Sequence, residues 1–467
     1  MIRCIVVASI LSILSGVASA EVSAARTNLV LIMTDDQAAW SLGCYGNSEA
    51  RSPNVDQLAS QGVRFTQAFA ASPVCSPSRA TFYTGRVPSQ HGIHDWIKNE
   101  NMGERARYCL EGETTLSDIL ARNGYVCGLS GKWHLGDSIQ PHAGYTYWFA
   151  MPQGGSKYND ADMVRDGKVI QTKGYLTDRI TDGAIEFLDK HNNQPFFLNV
   201  EYNAPHSPWQ GHPQELMDLY NDCPFDSIPK HPPHPWAAAR IIQKLGQREP
   251  LQQYFASCTG VDRGVERILA HLDKLGVSEN TLVVYTSDQG FNFGHHGLVG
   301  KGNASNPRNM YDTSLRIPMI FRHTGHLEQG RTSDLTVSAY DFLPTILAYL
   351  GLPPSPGRNL PGRSFAETLR GKPQPDWPDT IFAEYSQARM IRTHKYKYVH
   401  RCNGGPFELY DLQKDPGETT NLMEKLNDKP RLRKRRIVLR KKIYDWFQRY
   451  GEAGSDPVGQ EFFPVED

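Results

Sequence analysis

The 467 residues contain no Cys-x-x-Cys pair, so a zinc ribbon has no ligand pair to start from. They contain no internal repeat and no low-complexity tract. There is no net charge either, because 50 Lys and Arg balance 50 Asp and Glu. The whole-chain field therefore neither recruits nucleic acid nor repels an anionic substrate, and any charge selectivity must be local. No apolar run reaches the roughly 20 residues a membrane-spanning helix needs. The longest, Ile5 to Val17, is broken by Ser9, Ser12, Ser15 and Gly16. It follows Arg3 and ends on Ala18-Ser19-Ala20, which is the order of a secretory leader. Cleavage after Ala20 and an exported, soluble mature protein without a membrane span are expected. Cysteine is sparse, with Cys4 in the leader and seven beyond it.

What the chain has in quantity is alternation of strand and helix. Asn28 to Met33 is a continuous apolar run, as in a strand buried on both faces. Tyr125–Leu129, Pro195–Glu201, Thr281–Thr286 and Ile317–Phe321 have the same character, and helical patterns lie over Leu176–Lys190, Leu251–Lys274 and Asp341–Leu350. This pattern predicts an α/β fold: a large, mostly parallel sheet with helices on both faces. Gly371–Asp379 is rich in Pro and charge, and short alternating segments follow it at Met390–His400 and Phe407–Asp411. We therefore expect a leader over 1–20, a catalytic domain over 21–375, and a C-terminal subdomain with an antiparallel sheet over 376–467. Between Lys429 and Arg449 stand ten Lys or Arg residues. Ile437, Leu439, Ile443, Trp446 and Phe447 give the same segment an apolar face, which favours a docked amphipathic helix with a solvated basic side over a nucleic-acid arm.

The first apolar run ends at Asp35-Asp36, and Thr281–Thr286 is followed by Asp288-Gln289. Open α/β sheets bind ligands at the C-terminal ends of their strands. Unpaired, adjacent carboxylates there repel each other, and although one Asp suffices to cap a helix, two do not serve that purpose better. Three carboxylates and an amide oxygen on two strand ends suit a hard divalent cation such as Ca2+. Gly131-Lys132-Trp133-His134 follows another strand, where Lys132 and His134 at i and i+2 are expected to share a face. His206, in Ala204-Pro205-His206-Ser207-Pro208, can titrate near neutral pH and act as an acid. Cys75 stands four residues before Arg79, which could lower its thiol pKa; a buried free Cys is the bland alternative.

The stretch Cys75-Ser76-Pro77-Ser78-Arg79, followed by Thr84-Gly85, resembles the C-x-P-x-R…T-G signature of the type I sulfatases, on the alkaline-phosphatase-like fold. The resemblance extends through Gly131-Lys132-Trp133-His134-Leu135-Gly136, Ala204-Pro205-His206, Lys301 and the Glu408–Asn421 block, so it covers nearly the whole mature chain. It implies that a maturation enzyme oxidises Cys75 to formylglycine, whose hydrate is the nucleophile. It implies calcium on Asp35, Asp36, Asp288 and Gln289, the last a departure from the commoner Asn. It further implies that Asp288 helps deprotonate the attacking hydroxyl, Arg79 holds the hydrate, and Lys132 and Lys301 contact the sulfate group. His206 would protonate the leaving alcohol, and His134 would take a proton from the second hydroxyl. His295 and His296 are read as supporting groups rather than zinc ligands.

The expected reaction is hydrolysis of a sulfate ester to an alcohol and inorganic sulfate, on a carbohydrate by the argument from compartment. A phosphonate monoester or phosphodiester hydrolase on the same fold is the nearest alternative; a catalytically silent binder of sulfated glycans is a remoter one. Trp96, Trp209 and Trp236 could stack on sugar rings, though loop aromatics pack into cores as often. His400 and Arg401 could reach the pocket mouth. With Cys75 set apart, Cys44, Cys109, Cys127, Cys223, Cys258 and Cys402 could form three disulfides or remain thiols.

Overall fold

A computed structural model describes residues 26–99, 101–355, 359–402, 404–452 and 454–456; the expected leader lies outside them. Ten strands form one sheet: β1 (Asn28–Thr34), β2 (Val63–Phe69), β3 (Val126–Lys132), β4 (Tyr145–Met151), β5 (Asp162–Arg165), β6 (Lys168–Gln171), β7 (Phe196–Glu201), β8 (Thr281–Ser287), β11 (Met319–Arg322) and β12 (Arg331–Ser338). A short ribbon of β9 (Asn292–Phe293) and β10 (Val299–Gly300) stands apart. The order across the large sheet is β12-β2-β11-β8-β1-β7-β3-β4-β5-β6. β8, β1, β7, β3 and β4 run parallel to their neighbours within that group, while β11 is inserted antiparallel between β2 and β8.

β1 is at the centre because every one of its residues is apolar or pairs its polar atoms within the sheet. Its alternation feeds two cores: Leu29, Leu31 and Met33 pack into the one, Val30 and Ile32 into the other. Each such aliphatic, fully buried, contributes about 1.5–3 kcal/mol. The long helix Arg248–Lys274 and the helix Leu176–His191 cover the second core, supplying Phe255, Val261, Val265, Ile180 and Phe187. The strand expected at Ile317–Phe321 begins instead at Met319, since Pro318 has no N–H to give the ladder.

The second sheet is antiparallel, in the order β13 (Thr380–Tyr385), β14 (Ala388–Thr393), β15 (Tyr396–Arg401), β16 (Glu408–Asp411). The helix Pro430–Tyr450 starts on a proline, where a missing N–H is harmless. It buries Leu439, Ile443 and Phe447 against Phe382, Ile391, Tyr398 and Leu409. Ile437, expected on that face, is exposed. Cys44, Cys75, Cys127, Cys223 and Cys258 are free thiols, so the three-disulfide alternative is not formed.

Candidate active site

Four parallel strand ends and one helix converge. β1 delivers Asp35 and Asp36, β3 delivers Lys132, β7 delivers Glu201 and then His206, and β8 delivers Asp288 and Gln289. The helix Cys75–Thr84 points its first residue at them, and all ten of its residues are buried. Pro77 sits in its first turn, where no N–H is needed. Gly85 closes it in the left-handed region at φ 70°, donating its N–H to Thr81 O.

Arg79 ties the helix to the strands. Its Nε donates to Asp288 Oδ2 at 2.9 Å and its Nη1 to Glu201 Oε2 at 2.6 Å, all fully buried. Ser78 Oγ donates to the Asp288 carbonyl. The guanidinium is thus spent on carboxylates and does not lower the Cys75 thiol, as the sequence suggested it could. Burial, reinforced by Asp35, pushes that thiol up to about 11. An unmodified Cys75 is therefore a poor nucleophile at neutral pH.

Around Cys75 Sγ lie Lys301 Nζ at 2.7 Å and Asp35 Oδ1 at 3.7 Å. Lys301 also pairs with Asp36 Oδ1 at 2.7 Å, and Lys132 with Asp35 Oδ2. Burial would raise Asp35, but Lys132, His206, Lys301 and Arg79 hold it well below the usual carboxylate range. Burial would lower Lys301, yet Asp36 and Cys75 keep it well above its usual value. His206 Nε2 stands 3.8 Å from Asp36 Oδ2, and its Nδ1 has no partner. Burial lowers its pKa against the pull of Asp35 and Asp36. Cys75, Arg79, Lys132, His206, Lys301, Asp35, Asp36, Asp288 and Gln289 lie together at these strand ends.

His134 is beside them but not on β3, which ends at Lys132. It adopts φ 59°, so the shared strand face expected for Lys132 and His134 does not exist. Its Nε2 meets Ile97 O at 2.8 Å and its Nδ1 is free of partners. Burial first, then Lys132, depress its pKa well below the usual value. A neutral ring is the form able to accept a proton.

The residues fit a hard cation. Gln289 Nε2 lies 2.6 Å from Asp36 Oδ1 and 3.4 Å from Asp35 Oδ1, while Gln289 Oε1 is buried with no partner. Turning the amide over would aim that orphaned oxygen at the carboxylates, which demands a positive charge between them. Burial and Asp35 raise Asp288 to about 7, as a third carboxylate without a cation should be. Asp35, Cys75 and His206 also offer donor atoms within 4.8 Å of one another. A thiol held near 11 makes that mixed set the poorer cation site.

Other expectations fare differently. Trp209 is buried against Phe291 and Phe293 and donates to Pro205 O, so it is a core residue and not a sugar platform. His400 and Arg401 are buried in β15, with Arg401 paired to Glu408 at 2.5 Å, so neither reaches a pocket mouth. Trp236 carries the Arg401 guanidinium 5.1 Å from its ring centre, and Trp96 is 38 % exposed. His295 stacks near Trp40 and His296 lies flat on Tyr311 at 3.6 Å, and burial holds them at about 4 and about 3. The sequence reading overlooked Glu201, a carboxylate on the last position of a fully buried strand, raised to about 7 by burial against the pull of Arg79 and Tyr83. It also overlooked Asn203, whose two side-chain polar atoms are buried without partners.

A family model described as Sulfatase matches residues 27–352, and one described as N-sulphoglucosamine sulphohydrolase, C-terminal, matches residues 294–445. An N-acetylglucosamine-6-O-sulfatase of Bacteroides thetaiotaomicron is 29 % identical over 86 % of this chain and 83 % of its own. A solved structure of a protein in complex with its substrate D-glucosamine-2-N,6-O-disulfate superposes with a TM-score of 0.77 at 26 % identity, over 92 % of this chain and 99 % of the other. The phosphonate monoester hydrolase of Agrobacterium radiobacter shares the fold at a TM-score of 0.69 and 22 % identity, over 91 % and 96 % of the two chains. With the family model covering most of the described chain, this protein belongs to the sulfatase family and is a sulfuric ester hydrolase on the alkaline-phosphatase-like fold.

Proposed function

We propose that the substrate is a sulfate ester on a carbohydrate, and that residue 75 acts as formylglycine, installed by a maturation enzyme. The observation that carries this reading is Cys75 Sγ at the head of a buried helix, 2.7 Å from Lys301 Nζ and 3.7 Å from Asp35 Oδ1. A hydrated aldehyde at that point supplies one hydroxyl to attack sulfur and a second whose deprotonation expels sulfate. A hard divalent cation, calcium by its oxygen preference, would be held by Asp35, Asp36, Asp288 and the Gln289 carbonyl and would add positive charge there.

The chain's own groups divide the remaining work. Lys132 and Lys301 offset charge on the sulfuryl oxygens. Asp288, its carboxylate fixed by Arg79, accepts the proton of the attacking hydroxyl. His206 hands a proton to the alcohol oxygen as its bond to sulfur breaks. His134 takes the proton of the second hydroxyl. The sugar assignment rests on the two carbohydrate-sulfate relatives, and export rests on the expected leader.

The test is kcat/KM of His206→Ala and Lys132→Ala on a sugar sulfate and an activated aryl sulfate. General acid catalysis is worth about 10²–10⁴-fold, so His206→Ala should lose about that much more on the sugar sulfate than on the aryl sulfate. Lys132→Ala should slow both alike. Equal losses on both substrates for His206→Ala would remove it from the acid role. Faster turnover of an aryl phosphodiester than of an aryl sulfate would overturn the choice of sulfate.

A further inference from the structure

The basic terminal helix does more than cover the small sheet. On a helix of 3.6 residues per turn, Arg431, Arg435, Lys442 and Arg449 lie within one narrow stripe, flanking the buried row of Leu439, Ile443 and Phe447. At 1.5 Å per residue the stripe runs about 27 Å. All four side chains are exposed. In a chain whose charges sum to zero, this is a concentrated field of one sign.

The stripe does not face open water along its whole length. Lys442 and Arg449 line a groove of about 320 Å³ together with Arg363 and Trp377. Its floor is aromatic: Trp446, half-buried, stacks on Phe382 at 4.6 Å and lies 5.0 Å from Tyr450. The two carboxylates at the groove are already engaged. Asp445 pairs with Lys441 at 2.7 Å, and Asp341 accepts the main-chain N–H groups of Ser338 and Arg363, each at 2.8 Å. Aromatic faces beside unopposed cations are the surface that a sulfated sugar chain needs, since rings stack on the pyranose while Lys and Arg pair with sulfate oxygens. None of the lining residues belongs to the Cys75 centre.

We propose that this groove and stripe form a second binding site, which holds an extended sulfated polysaccharide along the helix Pro430–Tyr450 while the Cys75 centre acts on a sulfate of the same polymer. A linear array of about 27 Å fits a chain of several sugar units and not a single sulfated monosaccharide. The choice of a sulfated polymer over another polyanion rests on the sulfatase reading of the Cys75 centre.

The experiment compares the wild-type protein with Lys442→Gln/Arg449→Gln and with Arg431→Gln/Arg435→Gln, two pairs of exposed substitutions that leave the apolar face intact. Binding is measured by calorimetry across a salt series to dextran sulfate, to uncharged dextran, and to vesicles of 3:1 phosphatidylcholine and phosphatidylserine. Dextran sulfate alone should bind, and each pair should weaken it about tenfold or more and reduce the slope of log K against log salt by about 2, one per cation lost. For turnover, each pair should raise KM on a sulfated polysaccharide several-fold while kcat/KM on an aryl sulfate stays unchanged. Dextran sulfate affinity that survives both pairs, no affinity in the wild type, or vesicles bound as tightly would each overturn the proposal. A wild-type protein inert on aryl sulfate would instead overturn the reading of the Cys75 centre, and the calorimetry would still report on the groove.

Discussion

At Cys75 the chemistry is decided by what the side chain is not. A thiol held at about 11 by burial and by Asp35 is almost wholly protonated at pH 7, and one sulfur atom cannot both attack and release a sulfuryl group. Cys75→Ala should therefore abolish turnover, and Cys75→Ser should leave at most a trace, with the far-UV spectrum and melting temperature close to wild type. Measured sulfate release at the wild-type rate by either variant would end the formylglycine proposal. Glu201 is the residue to test beside it. It accepts from Arg79 Nη1 at 2.6 Å and from Tyr83 Oη, and Arg79 in turn holds Asp288. Glu201→Ala leaves part of a buried guanidinium without a partner, a loss of about 3–5 kcal/mol. It should lower the urea midpoint and kcat together, whereas Glu201→Gln should recover part of both. Sequence alone gave no means of seeing this: Glu201 lies 122 residues from Arg79 and 118 from Tyr83, and only the register of β7 beside β1 and β3 brings them together.

Among the elements, the helix Pro53–Ser60 depends on a distant residue. Asp262, on the helix Arg248–Lys274, accepts from Asn54 N at 3.0 Å, Asn54 Nδ2 at 2.7 Å and Val55 N at 2.8 Å, so it caps a helix start 208 residues away. Asp262→Ala should cost about 1–3 kcal/mol, read as a lower urea midpoint at unchanged slope. Burial raises this carboxyl to about 6, above the roughly 3.9 of an unfolded Asp. Between those values the folded state binds more protons, so its contribution to stability is fully present below about pH 4 and declines as pH rises towards 6. Stability measured against Asp262→Asn should show that decline; a constant difference across the range would contradict it. The same scale shows which elements were legible. β1, β7 and β8 announced themselves as largely apolar runs because both their faces are buried. β12 did not, since Arg331-Thr332-Ser333-Asp334 spends its polar side chains at the sheet edge. β5 and β6 are four residues each, with every residue of β6 exposed, so no apolar pattern marks them. Trp209 misled for the reverse reason: its loop position suggested exposure, and the pocket of Tyr254, Phe291 and Phe293 that encloses it is built from remote segments.

Over the whole molecule the site is an island of charge inside an apolar body. Four buried carboxylates, Asp35, Asp36, Glu201 and Asp288, face three buried cations, Arg79, Lys132 and Lys301. The island is one positive charge short, and a divalent ion makes it net positive, which suits an anionic sulfate ester. Metal analysis should find about one calcium per chain, bound through oxygen at roughly 2.3–2.6 Å. Chelation should lower the melting temperature, since a ligand at a hundredfold excess over its Kd stabilises by about 2.7 kcal/mol. Zinc on His295 and His296, or a melting temperature indifferent to chelator in metal-free buffer, would contradict the assignment. The ligand types could be read from the sequence because strand ends carried them as Asp35-Asp36 and Asp288-Gln289. Their pairing with particular cations could not, because it is set by the parallel register of four strands from different parts of the chain.

The enclosure of the helix Cys75–Thr84 also imposes an order of events. Cys75 is 2 % exposed and the ten residues of its helix are all covered, so no second enzyme can close over this segment once the sheet has formed. On the formylglycine proposal, oxidation of Cys75 would then race folding: a chain modified while still extended would mature, and a chain that folds first would be trapped as a thiol for as long as it stays native. Treating folded, thiol-bearing protein with the maturation enzyme should leave the mass of the Cys75 peptide unchanged, and the same treatment of the urea-unfolded chain or a peptide spanning Cys75 to Gly85 should convert it. The specific activity of a preparation would thus record the outcome of that race, fixed before the protein ever met a substrate.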